Sequence, residues 1–422
     1  MIDSRLMIDI LKDQVTPAFG CTEPIAVALA VAKANETLGD TPQSVKIKVD
    51  KNIFKNALAV GIPGTDEKGL YFAVALAIVN GKSEYNLEVL KDVTEEDVAK
   101  AKSIVDNNII RVEISEDAVG LYVEALVSGQ NGKSRVVIKD KHDNIVLVEK
   151  NNKVVFEKQQ AKSYEDTMRK KIKKLTIEDL KYFVDTADLN QLDFVANGIQ
   201  MNKKMAEAGM GSRYSRVMSR GVPINNLNCM EYAKLLTASA SYARMTGYPL
   251  PVMSCAGSGN HGIAATLPVA AVGEKMQIKQ DKIIRAVTLS LLVTIYVKSY
   301  TGTLSPVCGC GVAAGVGASA GVVYLLDGDL EQIGGAIKNM AGTLDGIICD
   351  GGKPGCAFKL SISAGAAVES AMMAMNDVVI SSHDGIVADT AEKTIKNLGK
   401  VSTIGMAKTD ETILKLMLEK IY

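Results

Sequence analysis

The chain has 422 residues, above the size at which a single hydrophobic core usually stops growing, so two domains or one domain with a large insertion are expected. Hydrophobic residues make up 47%, enough to build a proper core, which excludes disordered and fibrous classes. Lys+Arg and Asp+Glu balance at 48 each and Trp is absent, so no nucleic-acid or membrane partner is expected.

Met1–Arg5 is not a basic region leading into an apolar run, so no export signal is expected and the cytoplasm is the expected location. The first ~37 residues read as two helices around a break at Thr16–Pro24, with Pro24 suited to a helix start. Alternation at Val45–Val49, Arg111–Ile114, Leu121–Val127, Ser134–Ile138, Ile145–Glu149 and Lys153–Phe156 predicts short strands. Helical patterns at Lys68–Val79 and Glu95–Asn107 lie between them.

Beyond Lys158 the spacing predicts helices over Ile177–Asp185, Asp188–Ala208, Cys229–Met245, Gly262–Val272, Lys279–Val297, Val312–Leu326, Leu330–Gly342 and Ala357–Met375. The charged stretch Met168–Leu180 reads as a solvated helix or connector. Ala286–Val297 and Gly311–Leu326 are the most apolar stretches; both fall short of the ~18–20 residues of a membrane span and are expected to be buried helices. The expected fold is therefore α+β: N-terminal helices over 1–39, an inserted α/β domain over 40–160, and an all-α domain over 161–422 onto which the N-terminal helices pack.

Seven cysteines, Cys21, Cys229, Cys255, Cys308, Cys310, Cys349 and Cys356, are better explained by metal binding or catalysis than by disulfides in such a chain. No CxxC pair occurs and there are only three histidines, which argues against a zinc ribbon, a thioredoxin-type site or a His-rich metal centre. Cys308-Gly309-Cys310-Gly311 and Cys349-Asp350-Gly351-Gly352-Lys353-Pro354-Gly355-Cys356 are glycine-rich loops leading into helices. Exposed backbone N–H groups there favour thiolates and an anionic cluster. Small buried hydrophobes are the competing reading, since neither loop matches a ferredoxin run.

Cys21, in Gly20-Cys21-Thr22-Glu23-Pro24, precedes a helix start and is a candidate base, with an ordinary N-cap as the alternative. Cys255–Gly262 holds Ser258, Asn260 and His261 in a loop suited to an anionic group, though a plain turn and cap explains it as well. Lys55-Asn56 reads as strand, turn and helix entry with a ligand contact, and Met201–Met218 as helix packing.

Taken together, GCTEP at 20–24, KNALAVGIPGT at 55–65, GSGNHG at 257–262, CGC at 308–310, ICDGGKPGC at 348–356 and SHDGI at 382–386 resemble the L-cysteine desulfidase family, which is related to the α part of bacterial iron–sulfur L-serine dehydratases. The resemblance implies a [4Fe–4S] cluster on three cysteines. Cys349 and Cys356 match two positions, and the third falls in the CGC loop, where similarity to those dehydratases favours Cys308, with Cys310 as the alternative. It implies that L-cysteine undergoes β-elimination to sulfide, pyruvate and ammonia, with Cys21 as base. Thr22, Glu23, Ser258, Asn260 and His261 would then surround the substrate, with Lys55 and Asn56 nearby. The dehydratases bring a cysteine near their C-terminus to the cluster; none is expected to do so here. L-Serine as substrate, a pyridoxal-phosphate lyase and a non-enzymatic iron–sulfur or thiol sensor are the alternatives. A homodimer is expected from the many small apolar helices and from the relatives.

Overall fold

The computed structural model describes residues 4–118, 120–158, 168 and 170–420. Helix α1 (Ser4–Gln14) leads into a short strand β1 (Pro17–Phe19), and α2 (Thr22–Leu38) follows. Strand β2 (Ser44–Val49) runs straight into helix α3 (Lys51–Ala57), because the Asp50 carboxylate accepts from the Asn52 and Ile53 amides and caps it. Lys55 and Asn56 are therefore helical, a correction to the strand-and-turn expectation.

Helices α4 (Leu70–Asn80) and α5 (Glu95–Asp106) come next, the latter started by a Thr94–Asp97 capping box. Strands β3 (Ile110–Ile114), β4 (Tyr122–Gly129), β5 (Gly132–Lys139), β6 (Ile145–Lys150) and β7 (Lys153–Glu157) complete one six-stranded sheet in the order β3-β2-β4-β5-β6-β7. Only the β2–β3 pair is parallel. Val45, Ile47 and Val49 alternate inward, and α2 and α4 cover that face with Ile25–Ala32 and Phe72–Ala77, all buried. A helix apolar all round, as α2 is, must be enclosed on every side. Met7, Ile8, Ile10 and Leu11 of α1 are buried among the residues of the helical core, and Ile25–Ala32 of α2 among those of the sheet.

The remainder is helical: α6 (Ile177–Thr186), α7 (Asp193–Met210), α8 (Arg213–Met218) and α9 (Cys229–Met245), then strand β8 (Pro251–Met253), α10 (Gly259–Lys275) and α11 (Gln280–Thr301). A π-helical turn at Gly309–Ala313 opens α12 (Ala314–Leu325), followed by α13 (Leu330–Leu344), α14 (Cys356–Ala374), α15 (Ala391–Lys400) and α16 (Thr409–Leu418). The model is thus α+β with a mostly helical domain, as the sequence implies. Glycine and alanine let α12 lie directly on α11: a Cβ at Gly317 would collide with the Thr294 hydroxyl and the Ser290 carbonyl.

Three local expectations change. Met168, Ile172 and Leu180 are buried in the helical core, so the charged stretch presents an apolar face rather than being solvated throughout; residue 169 within it lies outside the described residues. Helix α11 has 22 residues and is long and apolar enough to cross a membrane, but 83% of its apolar window is buried inside the protein, as in a core helix. Strands β1 and β8 pair antiparallel, Pro17 opposite Met253 and Phe19 opposite Pro251, and they are too short to leave a periodic signal.

Candidate active site

Two cysteine loops are joined by their backbones. The Cys308 amide donates to the Ile347 carbonyl (2.7 Å) and the Cys349 amide to the Pro306 carbonyl (2.6 Å), forming an antiparallel bridge between Val307 and Ile348. Cys308 lies just before the π-helical turn, and its Sγ accepts from the Gly311 amide at 3.3 Å. Gly309 is required here, because any Cβ would collide with the His261 imidazole Nε2. Cys356 is the first residue of α14, and its Sγ lies 3.6 Å from the Gly351 carbonyl. Gly351 has φ 96° and packs so closely on the Lys55 carbonyl that a Cβ would sit 2.5 Å from it. That contact presses the second loop onto α3.

Cys308, Cys310, Cys349, Cys356 and Cys21 line one cavity of ≈ 70 Å³. The thiols differ electrostatically. A hydrogen bond from Cys310 outweighs burial at Cys308 and, with the Gly311 amide and Lys359, draws its thiol down to about 6. Cys310, as the donor, is pushed well up by that bond and by burial. Burial and then the Cys308 charge raise Cys349, and the same two causes raise Cys356 to about 11. Asp350 gathers positive charge at the rim: Lys353 contacts it at 2.6 Å, Lys359 also pairs with it, and Lys359 donates to the Ile348 carbonyl (2.8 Å).

Opposite the cysteine loops stands the start of α2. The Cys21 thiol donates to Glu23 Oε2 (3.0 Å), as does the Thr22 hydroxyl (3.0 Å), and the Asn56 amide donates to Glu23 Oε1 (2.9 Å). Burial would raise Glu23, but His142, the Cys21 thiol and Arg244 together hold it below the usual carboxylate range. Burial and the Glu23 charge push Cys21 well up. An ionised carboxylate thus faces a protonated thiol, so base strength resides in the pair rather than in a free Cys21 thiolate. Asn56 connects this pair to the cysteine loops, with Cys349 Sγ 3.9 Å from its Oδ1.

Glu23, Lys55, Asn56, Ser258, Asn260 and His261 all line the same cavity. Thr22 does not; it faces a neighbouring cavity. His261 Nδ1 bonds the Cys255 carbonyl at 3.1 Å, and burial, then Lys298, lowers the imidazole to about 3, so it is neutral. Ser258 Oγ lies 4.0 Å from Cys310 Sγ. SHDGI at 382–386 sits in an exposed loop and contributes nothing to this cavity.

Sequence reasoning missed Asn52, Arg244 and Lys298, which also line the cavity. Arg244 in the Ala/Ser-rich second half of α9 and Lys298 beyond the apolar middle of α11 were the available signal. The Arg244 guanidinium donates to the Gly20 carbonyl (2.7 Å), tying α9 to the Cys21 loop. Arg244 Nε, Asn260 Oδ1 and Asn52 Oδ1 are buried without a hydrogen-bond partner, a donor and two acceptors suited to a small zwitterion. Among the described residues no three His, Cys, Asp or Glu converge tightly enough for a single metal ion.

A family described as serine dehydratase alpha chain matches residues 84–415. A UPF0597 protein of Clostridium tetani is 54% identical over 416 residues, covering 98% of both chains. Another from Caldanaerobacter subterraneus subsp. tengcongensis is 51% identical over 419 residues, covering 99% of both. A third, from Clostridioides difficile, is 42% identical over 422 residues, covering 97% of this chain and 98% of its own.

Proposed function

Because the chain belongs to the serine dehydratase alpha chain family, we propose that it is an iron–sulfur lyase that eliminates sulfide from L-cysteine, leaving pyruvate and ammonia. The observation that carries this reading is the convergence of Cys308, Cys349 and Cys356 on the cavity that also holds the Cys21–Glu23 pair. A [4Fe–4S] cluster held by those three thiolates supplies, when bound, a Lewis-acidic iron for the departing sulfur. The donor set suits it: Cys308 ionises readily, and its charge strains Cys349 and Cys356 in a way that cationic iron relieves. Cys310 keeps its proton and serves Cys308 as a hydrogen-bond donor.

The chain's own residues orient the substrate and move its proton. Arg244 Nε pairs with the carboxylate, and Asn260 Oδ1 and Asn52 Oδ1 accept from the ammonium. The Cys21 sulfur takes the α-proton as its own proton passes to Glu23, so the pair acts as the base without a free thiolate. Thr22 and Asn56 hold the Glu23 carboxylate in place. Seven free thiols fit a reducing compartment such as the cytoplasm.

Membership of the serine dehydratase alpha chain family favours a second reading, with L-serine as substrate. Anaerobic reconstitution with iron and sulfide, followed by assay of pyruvate from each amino acid, separates the two. Release of sulfide and pyruvate from L-cysteine supports the proposal, and pyruvate from L-serine alone replaces it. A reconstituted sample that binds no iron removes both.

A further inference from the structure

A second cavity of ≈ 240 Å³ adjoins the first, and the two share Gly257 and Thr303 in their walls. Lys12, Asp13, Asp140, Lys141 and Ser254 make its lining polar. The β5–β6 hairpin reaches across from the sheet to form one side, and Lys141 is anchored to Asp13 in the last turn of α1 at 2.5 Å. At the tip stands His142, only 4% exposed, with Nε2 buried and without a hydrogen-bond partner. The imidazole packs on Gly257, where a Cβ would lie 3.7 Å from both Cε1 and Nδ1. Thr22 occupies the same wall, its hydroxyl between Glu23 Oε2 (3.0 Å) and the Gly257 carbonyl (3.2 Å).

We propose that His142 is a positioning and proton-relay residue that carries the proton collected by Glu23 into this second cavity and so to solvent. The proposal rests on the reading of Cys21 and Glu23 as the base. Each turnover leaves one substrate α-proton on that pair, and it must depart before the next. The Glu23 O–H bond breaks as its proton passes to the Thr22 hydroxyl, whose own proton moves on to one imidazole nitrogen, while the N–H on the other nitrogen breaks and hands its proton to water, so one proton enters and one leaves. Glu23 from α2 and Asp143 from its own loop are the charges that act on the ring; both favour its protonated form, against the burial that disfavours it.

The test uses His142→Ala in the cluster-reconstituted enzyme. The expected result is a kcat for L-cysteine reduced about 10²-fold, with unchanged KM, iron content and visible absorption. Added imidazole should restore the rate saturably, and substituted imidazoles should do so in order of basicity. His142→Gln, which fills the space, should be equally slow and refuse rescue. Calorimetry on cluster-free protein should show imidazole binding to His142→Ala and not to His142→Gln. Full activity in His142→Ala, or a slow variant that has lost iron and is not rescued, overturns the relay. Those outcomes leave the base reading intact if Glu23→Gln is inactive with its cluster in place; an active Glu23→Gln overturns the base reading and the relay with it.

Discussion

Helix α16 is pinned to the site by one buried ion pair. Lys55 on α3 is 1% exposed and Asp410 on α16 is 5% exposed, with Nζ and Oδ1 2.5 Å apart. Replacing Asp410 by Ala strands an ammonium group where water cannot reach it, which costs ~3–5 kcal/mol at comparable buried pairs. An exposed helical pair such as Lys100–Glu96 gives the contrast, because its loss costs at most ~1 kcal/mol. Removing both charges with Lys55→Met and Asp410→Leu should recover most of the loss, since the packing then replaces the pair. Urea denaturation of the cluster-free protein measures the midpoint, and hydrogen exchange reports whether α16 opens first. The Lys55 carbonyl also abuts Gly351, so loosening α3 should reduce iron retention as well. A single Asp410→Ala loss under ~1 kcal/mol, with α16 amides as protected as in the parent, refutes the reasoning.

Cys308→Ser should abolish most iron binding in reconstitution, whereas Cys310→Ser should retain iron, as read by iron content and visible absorption. Gly309→Ala forces a methyl onto His261 and should cost ~1–3 kcal/mol in the urea midpoint together with reduced iron uptake. Acid should destabilise the apoprotein through its buried histidines. Burial holds His261 at about 3 and His142 below the ordinary 6.5, so the unfolded chain takes up protons first and stability falls as pH drops below about 6.5. Between about 6.5 and about 3 His261 contributes a slope of ~1.4 kcal/mol per pH unit, and His142 acts in the same direction. His261→Gln should flatten the pH dependence of the urea midpoint by about that amount.

The long helices and the strands of the sheet were legible because their apolar spacing is regular and their starts are capped, as at Thr94, Asn228 and Asp329. Strand β1 left no trace because its partner lies more than 200 residues further along and the pairing spans three residues. The cysteine loops could be named as candidates from composition. Their union through the Val307–Ile348 bridge could not, because backbone pairing between irregular loops carries no side-chain code. Arg244 and His142 were missed for a related reason. Nothing next to them in sequence shows that their polar atoms end up buried without partners.

The span between Lys55 and Asp410 sets an order of events during synthesis. At 5–20 residues per second, the 355 positions separating them take about 20–70 s to translate. The sheet unit has mostly local pairings and can form early, while its half of the thiol-lined chamber waits for the helices still on the ribosome. A group held by Cys308, Cys349 and Cys356, as proposed, could therefore load only after Cys356 has emerged, and the chamber closes when α16 docks.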